Sequence, residues 1–168
     1  MWEQQVAFWI IAVAMAAAAI GVVRSSNIVH AALFLVVVLA GAAAIYILLA
    51  AEFVAWVQVL IYIGAVIVLF LFGIMLTRAP MRDDAGNLNN DQRWAALVVA
   101  LFIFGVIAAL LVDAFGGTDI RFGPQLVAQG RTNTVANSIF RDFLIPFEVV
   151  SMLLLAALVG AIVLARRD

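Results

Sequence analysis

The residues best suited to chemistry lie inside an apolar stretch. Gln58 and Tyr62 stand four apart within Phe53–Thr77, and Gly64 follows two places later. Positions four apart share one face of an α-helix. The residues alone leave two readings open. In the first, Gln58 and Tyr62 bond across to a neighbouring helix, Gly64 permits close packing, and each bond contributes roughly 0.6 kcal/mol. In the second they form a conformational site. Gly64 is flanked by the β-branched Ile63, Val66, Ile67 and Val68, which crowd a regular turn, and the stretch holds no proline. In this second reading an i to i+5 bond or a broken i to i+4 bond is expected between about Leu60 and Leu69, with Tyr62 placed to bind a freed carbonyl or a water beside it.

Other reactive groups are sparse. Glu148 lies two residues after Pro146 near the start of the last apolar run. It reads either as a carboxylate favoured by a helix N-terminus near headgroup depth, or as a contact for a neighbouring subunit. His30 is the single histidine, and without a second ligand it reads as an interfacial side chain rather than a metal site. With no cysteine, disulfides, thiolate metal sites and cysteine nucleophiles are excluded. No apolar run carries Asp, Glu, Lys or Arg at its centre, where ion pumps and proton antiporters usually place them. No phosphate-binding loop and no basic patch for nucleic acid occurs.

The elements that position these residues follow from composition. Hydrophobic residues make up 68% of the 168 and charged ones only 11%, with a mean hydropathy of +1.22. A water-soluble domain of this size cannot hide so much apolar surface, so the solvent is a bilayer. The apolar runs are long and continuous rather than short and alternating, which selects helices over a barrel. The expected fold is all-α, a single transmembrane domain with five spans at about 5–23, 28–49, 53–77, 94–112 and 143–165. The third, 25 residues without a formal charge, would run about 37 Å as a helix.

Between the first two spans, Arg24 stops one helix and Ser25, Ser26 and Asn27 offer caps for the next, making a tight antiparallel hairpin. Small residues at Ala14, Ala17, Ala18 and Gly21, at Ala40, Gly41 and Ala44, and at the pairs Ala156/Gly160 and Ala157/Ala161 predict close helix packing. The segment from Arg78 to Arg93 reads as an exposed loop, with Asp91 as a cap and Trp94 as an interfacial anchor. The stretch Asp113–Asp142 reads as a loop outside the hydrocarbon with a short surface helix over Val135–Phe140, and Pro146 sits in the first turn of span five. Glu3 stands where a secretory leader would be positive, so the first run is read as a span. One side gathers Arg24, Arg78, Arg82, Arg93, Arg166 and Arg167, and the other Arg121, Arg131 and Arg141. That bias puts the N-terminus outside and the C-terminus in the cytoplasm. No internal repeat supports a transporter of inverted halves.

The run YIGAVIVLFLFGIML, Tyr62–Leu76, resembles the third transmembrane helix of subunit J of bacterial NADH:quinone oxidoreductase, respiratory complex I, the counterpart of mitochondrial subunit 6. NIVHAAL at Asn27–Leu33 and PFEVVSMLLLAALVGAIVLARR at Pro146–Arg167 extend the likeness over most of the chain. The resemblance implies a multi-pass subunit of the bacterial inner membrane that binds no cofactor itself, in a complex that uses NADH, FMN, iron–sulfur clusters and quinone. It implies packing in the membrane arm beside a small three-helix subunit with buried glutamates and the membrane subunit of the quinone module. It implies a π-bulge over Tyr62–Val66 whose conversion to regular helix opens and closes a water path between quinone chemistry and proton pumping. Tyr62, Gly64, Val66 and Phe70 match by position, whereas some relatives carry Glu in place of Gln58. The rival readings are a self-contained small transporter or channel, and the equivalent subunit of a complex fed by ferredoxin or another donor.

Overall fold

The computed structural model describes residues 2–77, 93–117 and 123–166. Among them every regular element is helical: α1 (Trp2–Arg24), α2 (Ile28–Leu48), α3 (Glu52–Val57), a π segment (Gln58–Ile67), α4 (Val68–Leu76), α5 (Arg93–Phe115), α6 (Pro124–Gln129), α7 (Thr132–Arg141) and α8 (Leu144–Ala165). The elements α3, π and α4 are continuous and form one span, Glu52–Leu76. With α1, α2, α5 and α8 they give five helices long and apolar enough to cross a bilayer, and the chain is a multi-pass membrane protein. These helices end within three residues of the expected span limits (Trp2 rather than about Gln5, Phe115 rather than about Val112), as a helix extends past its apolar centre into interfacial residues. The polar stretch from Arg78 to Asp91 and the cations Arg78, Arg82, Arg121 and Arg167 lie outside the described residues.

Local chemistry explains the first two turns. The Val29 amide donates to Asn27 Oδ1 at 2.9 Å, the N-cap bond that starts α2. At the other end of α2 the Ala51 amide donates to Tyr46 O and the Ala50 amide to Ile47 O, both at 2.9 Å. These are the paired bonds of a Schellman cap, and its left-handed position is Ala50, at φ 56°. Glycine is the usual residue there, since an L side chain in this region costs about 1–2 kcal/mol.

The first three spans pack together. Ala18, Ala32, Ala43, Ala55 and Ile67 are buried along their seams. A Cβ on Gly21 would meet the Phe34 ring at 2.9 Å, and one on Gly41 would enter the space held by the Met15 side chain. Small residues thus receive large ones across α1 and α2, the arrangement that drives helix association in lipid. Ala14, Ala17 and Ala40, also expected at a seam, are exposed.

Helices α5 and α8 differ. Neither has a buried residue, α5 meets no other described element, and α8 meets only α7. Nothing lies within 4 Å of where a Cβ on Gly160 would sit. The expectation that Ala156/Gly160 and Ala157/Ala161 mark close packing is therefore not met by any described helix of this chain. Spacing specifies that a backbone can be approached, not what approaches it.

The surface helix is present and longer than expected, Thr132–Arg141 rather than Val135–Phe140. Its apolar side, with Val135, Ala136 and Ile139 half-buried, turns to α3 and α8. Thr134 Oγ1 donates to Ala128 O at 2.8 Å and ties α7 back to α6. At Gly130 the chain closes on the turn before the third span: the Ala50 carbonyl oxygen occupies the place of a missing Cβ, and Ala51 Cα is 3.4 Å from it. Only glycine allows so close an approach of two backbones. Pro146 is the third residue of α8, where its missing N–H breaks no helical bond.

Candidate functional site

Gln58–Ile67 is wound as a π-helix, so the third span leaves α geometry where the β-branched run and Gly64 predicted. The segment begins two residues before the expected window and contains the whole Tyr62–Val66 run. The Val59 carbonyl oxygen lies 3.6 Å from the Cβ position of Gly64, five residues on, which is the spacing of a π turn.

The extra residue is legible in the burial pattern. One line of covered positions runs down the packed face of the third span through Ala55, Gln58, Ile63, Ile67, Leu71 and Ile74, with Phe53 and Val57 half-buried beside it. The steps along that face are three, five, four, four and three, and the step of five falls inside the π segment. A regular helix advances three or four, so position 62 would follow 58. The inserted residue places Ile63 there and turns Tyr62 outward.

That geometry corrects the expectation that Gln58 and Tyr62 share a face. Gln58 is 9% exposed, whereas Tyr62 is 47% exposed. The wider π turn separates them. Neither side chain hydrogen-bonds to another described residue, so neither acts as glue within this chain. The Gln58 amide N–H is shared between Ala55 O and Val54 O, at the boundary between α and π winding.

The remaining site residues lie on the outer face. Val66 is 49% exposed, and Gly64 and Phe70 are also exposed. Among the described residues Gly64 touches nothing across a seam, so the close packing expected of it is made by none of them. The site is thus a covered amide on one side of the span, with Tyr62, Gly64, Val66 and Phe70 all exposed around the rest of it.

Glu148 stands in the second turn of α8, exposed, on a helix that meets no other span among the described residues. Its backbone carbonyl accepts from Ser151 Oγ at 2.7 Å. His30 is exposed near the start of α2. Among the described residues no group of three His, Cys, Asp or Glu could hold a metal ion.

Two features of the site had no signal in the reading from residues. One is the inward position of Gln58 alone, because the span is apolar on every side and residue type does not mark its packed face. The other is the docking of Gly130 and α7 at the base of the third span, whose partners lie some eighty residues apart in sequence.

The chain as a whole matches known proteins. The family model for NADH-ubiquinone/plastoquinone oxidoreductase chain 6 matches residues 18–164. The chain is 42% identical over 165 residues to NAD(P)H-quinone oxidoreductase chain 6 of Leptolyngbya boryana, covering 98% of this chain and 81% of that one. It is 43% identical over 168 residues to the protein of the same name from Synechocystis sp., with 98% and 82% covered. A chloroplastic NAD(P)H-quinone oxidoreductase subunit 6 from Chlorokybus atmophyticus is 40% identical over 166 residues, with 89% and 77% covered.

Proposed function

Because this chain belongs to the NADH-ubiquinone/plastoquinone oxidoreductase chain 6 family, and so is a membrane subunit of an NAD(P)H-quinone oxidoreductase, we propose that its third span couples quinone reduction to proton pumping through a conformational gate. The observation that carries this reading is the step of five in the packed face at Gln58–Ile63, produced by π winding at Gln58–Ile67. A π-bulge is one residue too many for the turn it occupies. Removing it rotates one half of the span against the other by about 100°, one residue of a 3.6-residue turn.

The rotation has a chemical consequence. In regular α winding Tyr62 stands on the face of Gln58 at i and i+4. In π winding the phenol points away from the packed face, and Gly64, Val66 and Phe70 are likewise exposed. Interconversion therefore moves one hydroxyl into or out of the path beside the helix, and that is how a residue without charge gates water. The subunit contributes no redox centre; NADH, FMN, iron–sulfur clusters and quinone act in other subunits. The open face of the gate lies toward the small three-helix subunit with buried glutamates, near the membrane subunit of the quinone module. Glu148, on uncovered α8, meets a further subunit. The N-terminus is outside and the C-terminus cytoplasmic in a bacterial inner membrane, as the arginine bias requires. A cytoplasmic reporter fused to Asp168 is active in that orientation and silent in the reverse one. Family membership and uncharged span centres weigh against a self-contained transporter.

Tyr62→Phe tests the gate. It keeps nearly all the volume and loses one hydroxyl, so the complex assembles while proton pumping per quinone reduced falls. An assembled complex with unchanged pumping and turnover removes Tyr62 from the mechanism.

A further inference from the structure

We infer that the side-chain amide of Gln58 is a binding site for a water molecule, held between α2 and the first turn of the π segment. Gln58 is the buried polar side chain of the described structure, at 9% exposure. No described residue bonds to its amide. Yet no side-chain nitrogen or oxygen among the described residues is both occluded and unpaired, so the amide atoms keep some accessible surface. The residual opening at Gln58 therefore lies at its polar end and is of a size that water enters. Burying an amide with nothing to bond is unfavourable, and more so where lipid replaces bulk solvent.

The neighbourhood supplies what an ordered water needs, which is two to four polar partners. The amide offers an acceptor oxygen and two donor hydrogens. At its own end of the π segment the Gln58 backbone N–H is split between Val54 O and Ala55 O, carbonyls one turn back that each keep a lone pair for a water. Ordered waters are the usual remedy for backbone groups that leave the regular ladder inside a membrane. An ion fits poorly, because Phe53–Thr77 holds no charge and the described residues assemble no ligand cluster. A small neutral molecule that both donates and accepts matches the site. The inference rests on the proposed function only for the complex in which it is measured.

The test is a map of the intact, lipid-embedded complex at a resolution that shows waters. The wild type shows a solvent peak about 2.6–3.2 Å from Gln58 Oε1 or Nε2, Gln58→Leu loses it, and Gln58→Glu keeps it. A partner side chain bonded directly to the amide, or apolar atoms filling the opening, overturns the assignment. Hydrogen exchange across Gln58–Ile67 in the assembled complex is the second readout. Gln58→Leu raises exchange at least about threefold, and Gln58→Glu stays close to wild type. Equal exchange in Gln58→Leu and wild type also overturns the assignment. Should Gln58→Leu fail to assemble, the wild-type map alone decides. A complex that pumps normally but lacks the solvent peak removes the water site and leaves the proposed function intact.

Discussion

The first three spans and the last two use the same alphabet of small residues to opposite effect. In α1 and α2, Gly21 lies under the Phe34 ring and Gly41 under Met15, so each missing side chain is filled from across the seam. In α8, Gly160 sits in a run just as small, Ala156 to Ala161, and no other described element comes within 4 Å of its Cβ position. Small-residue spacing in a membrane helix therefore marks an approachable backbone without naming the partner. In a subunit of a larger complex, the vacant seams are where other chains are expected. The π-wound third span shares features of both regions. Its Gln58 side is packed on α2, and its Tyr62 side is as open as α8.

The sharpest way to break this comparison is to place the same side chain in both regions. Gly41→Leu drives a branched chain into the place of Met15, and overpacking of that kind costs about 1–3 kcal/mol or more. Most of the folded chain is expected to vanish from membranes, as read by its abundance on a blot. Gly160→Leu meets no other described element of this chain, so abundance is retained, while the yield of intact complex falls because a partner helix is displaced. Intact complex at wild-type yield would mean that this face of α8 meets only lipid.

A smaller loss is expected at the base of the third span. Gly130→Ala puts a methyl group onto the Ala50 carbonyl, where neither backbone can yield without loosening α6, α7 or the α2–α3 turn. Destabilisation of about 1–3 kcal/mol is expected, seen as a lower thermal midpoint of the complex and faster proteolysis near Gly130. The smallest effect has the opposite sign. Ala50→Gly relieves the left-handed position that closes the Schellman cap and is expected to stabilise by up to about 1 kcal/mol, after the unfolded-state cost of a glycine is deducted. A lower midpoint for Ala50→Gly would show that the Ala50 methyl group itself packs against something outside this chain.

The spans were legible in the sequence because each depends only on a continuous apolar run and its flanking polar residues. The N-cap at Asn27 and the π winding near Gly64 were legible for the same reason: the causes lie within a few residues of the effect. What could not be read is contact between distant segments. Ala50 carries no mark of a positive φ, and Gly130 reads as one more loop glycine until Ala50 is brought against it. The shared face assigned to Gln58 and Tyr62 failed for a related reason. It assumed α periodicity through the very stretch predicted to abandon it, and one inserted residue was enough to turn Tyr62 outward.

The account stands on the claim that the winding of Gln58–Ile67 changes as the enzyme works. The direct measurement is the structure of the intact complex in two conditions, resting and during NAD(P)H-driven quinone reduction, with the backbone bonds of Gln58–Ile67 traced in each. The account predicts π winding in one condition and α winding in the other, with Tyr62 moved onto the face of Gln58 in the α form and pumping lost in Gly64→Leu. The same π winding in both conditions, together with undiminished pumping in Gly64→Leu, would contradict it.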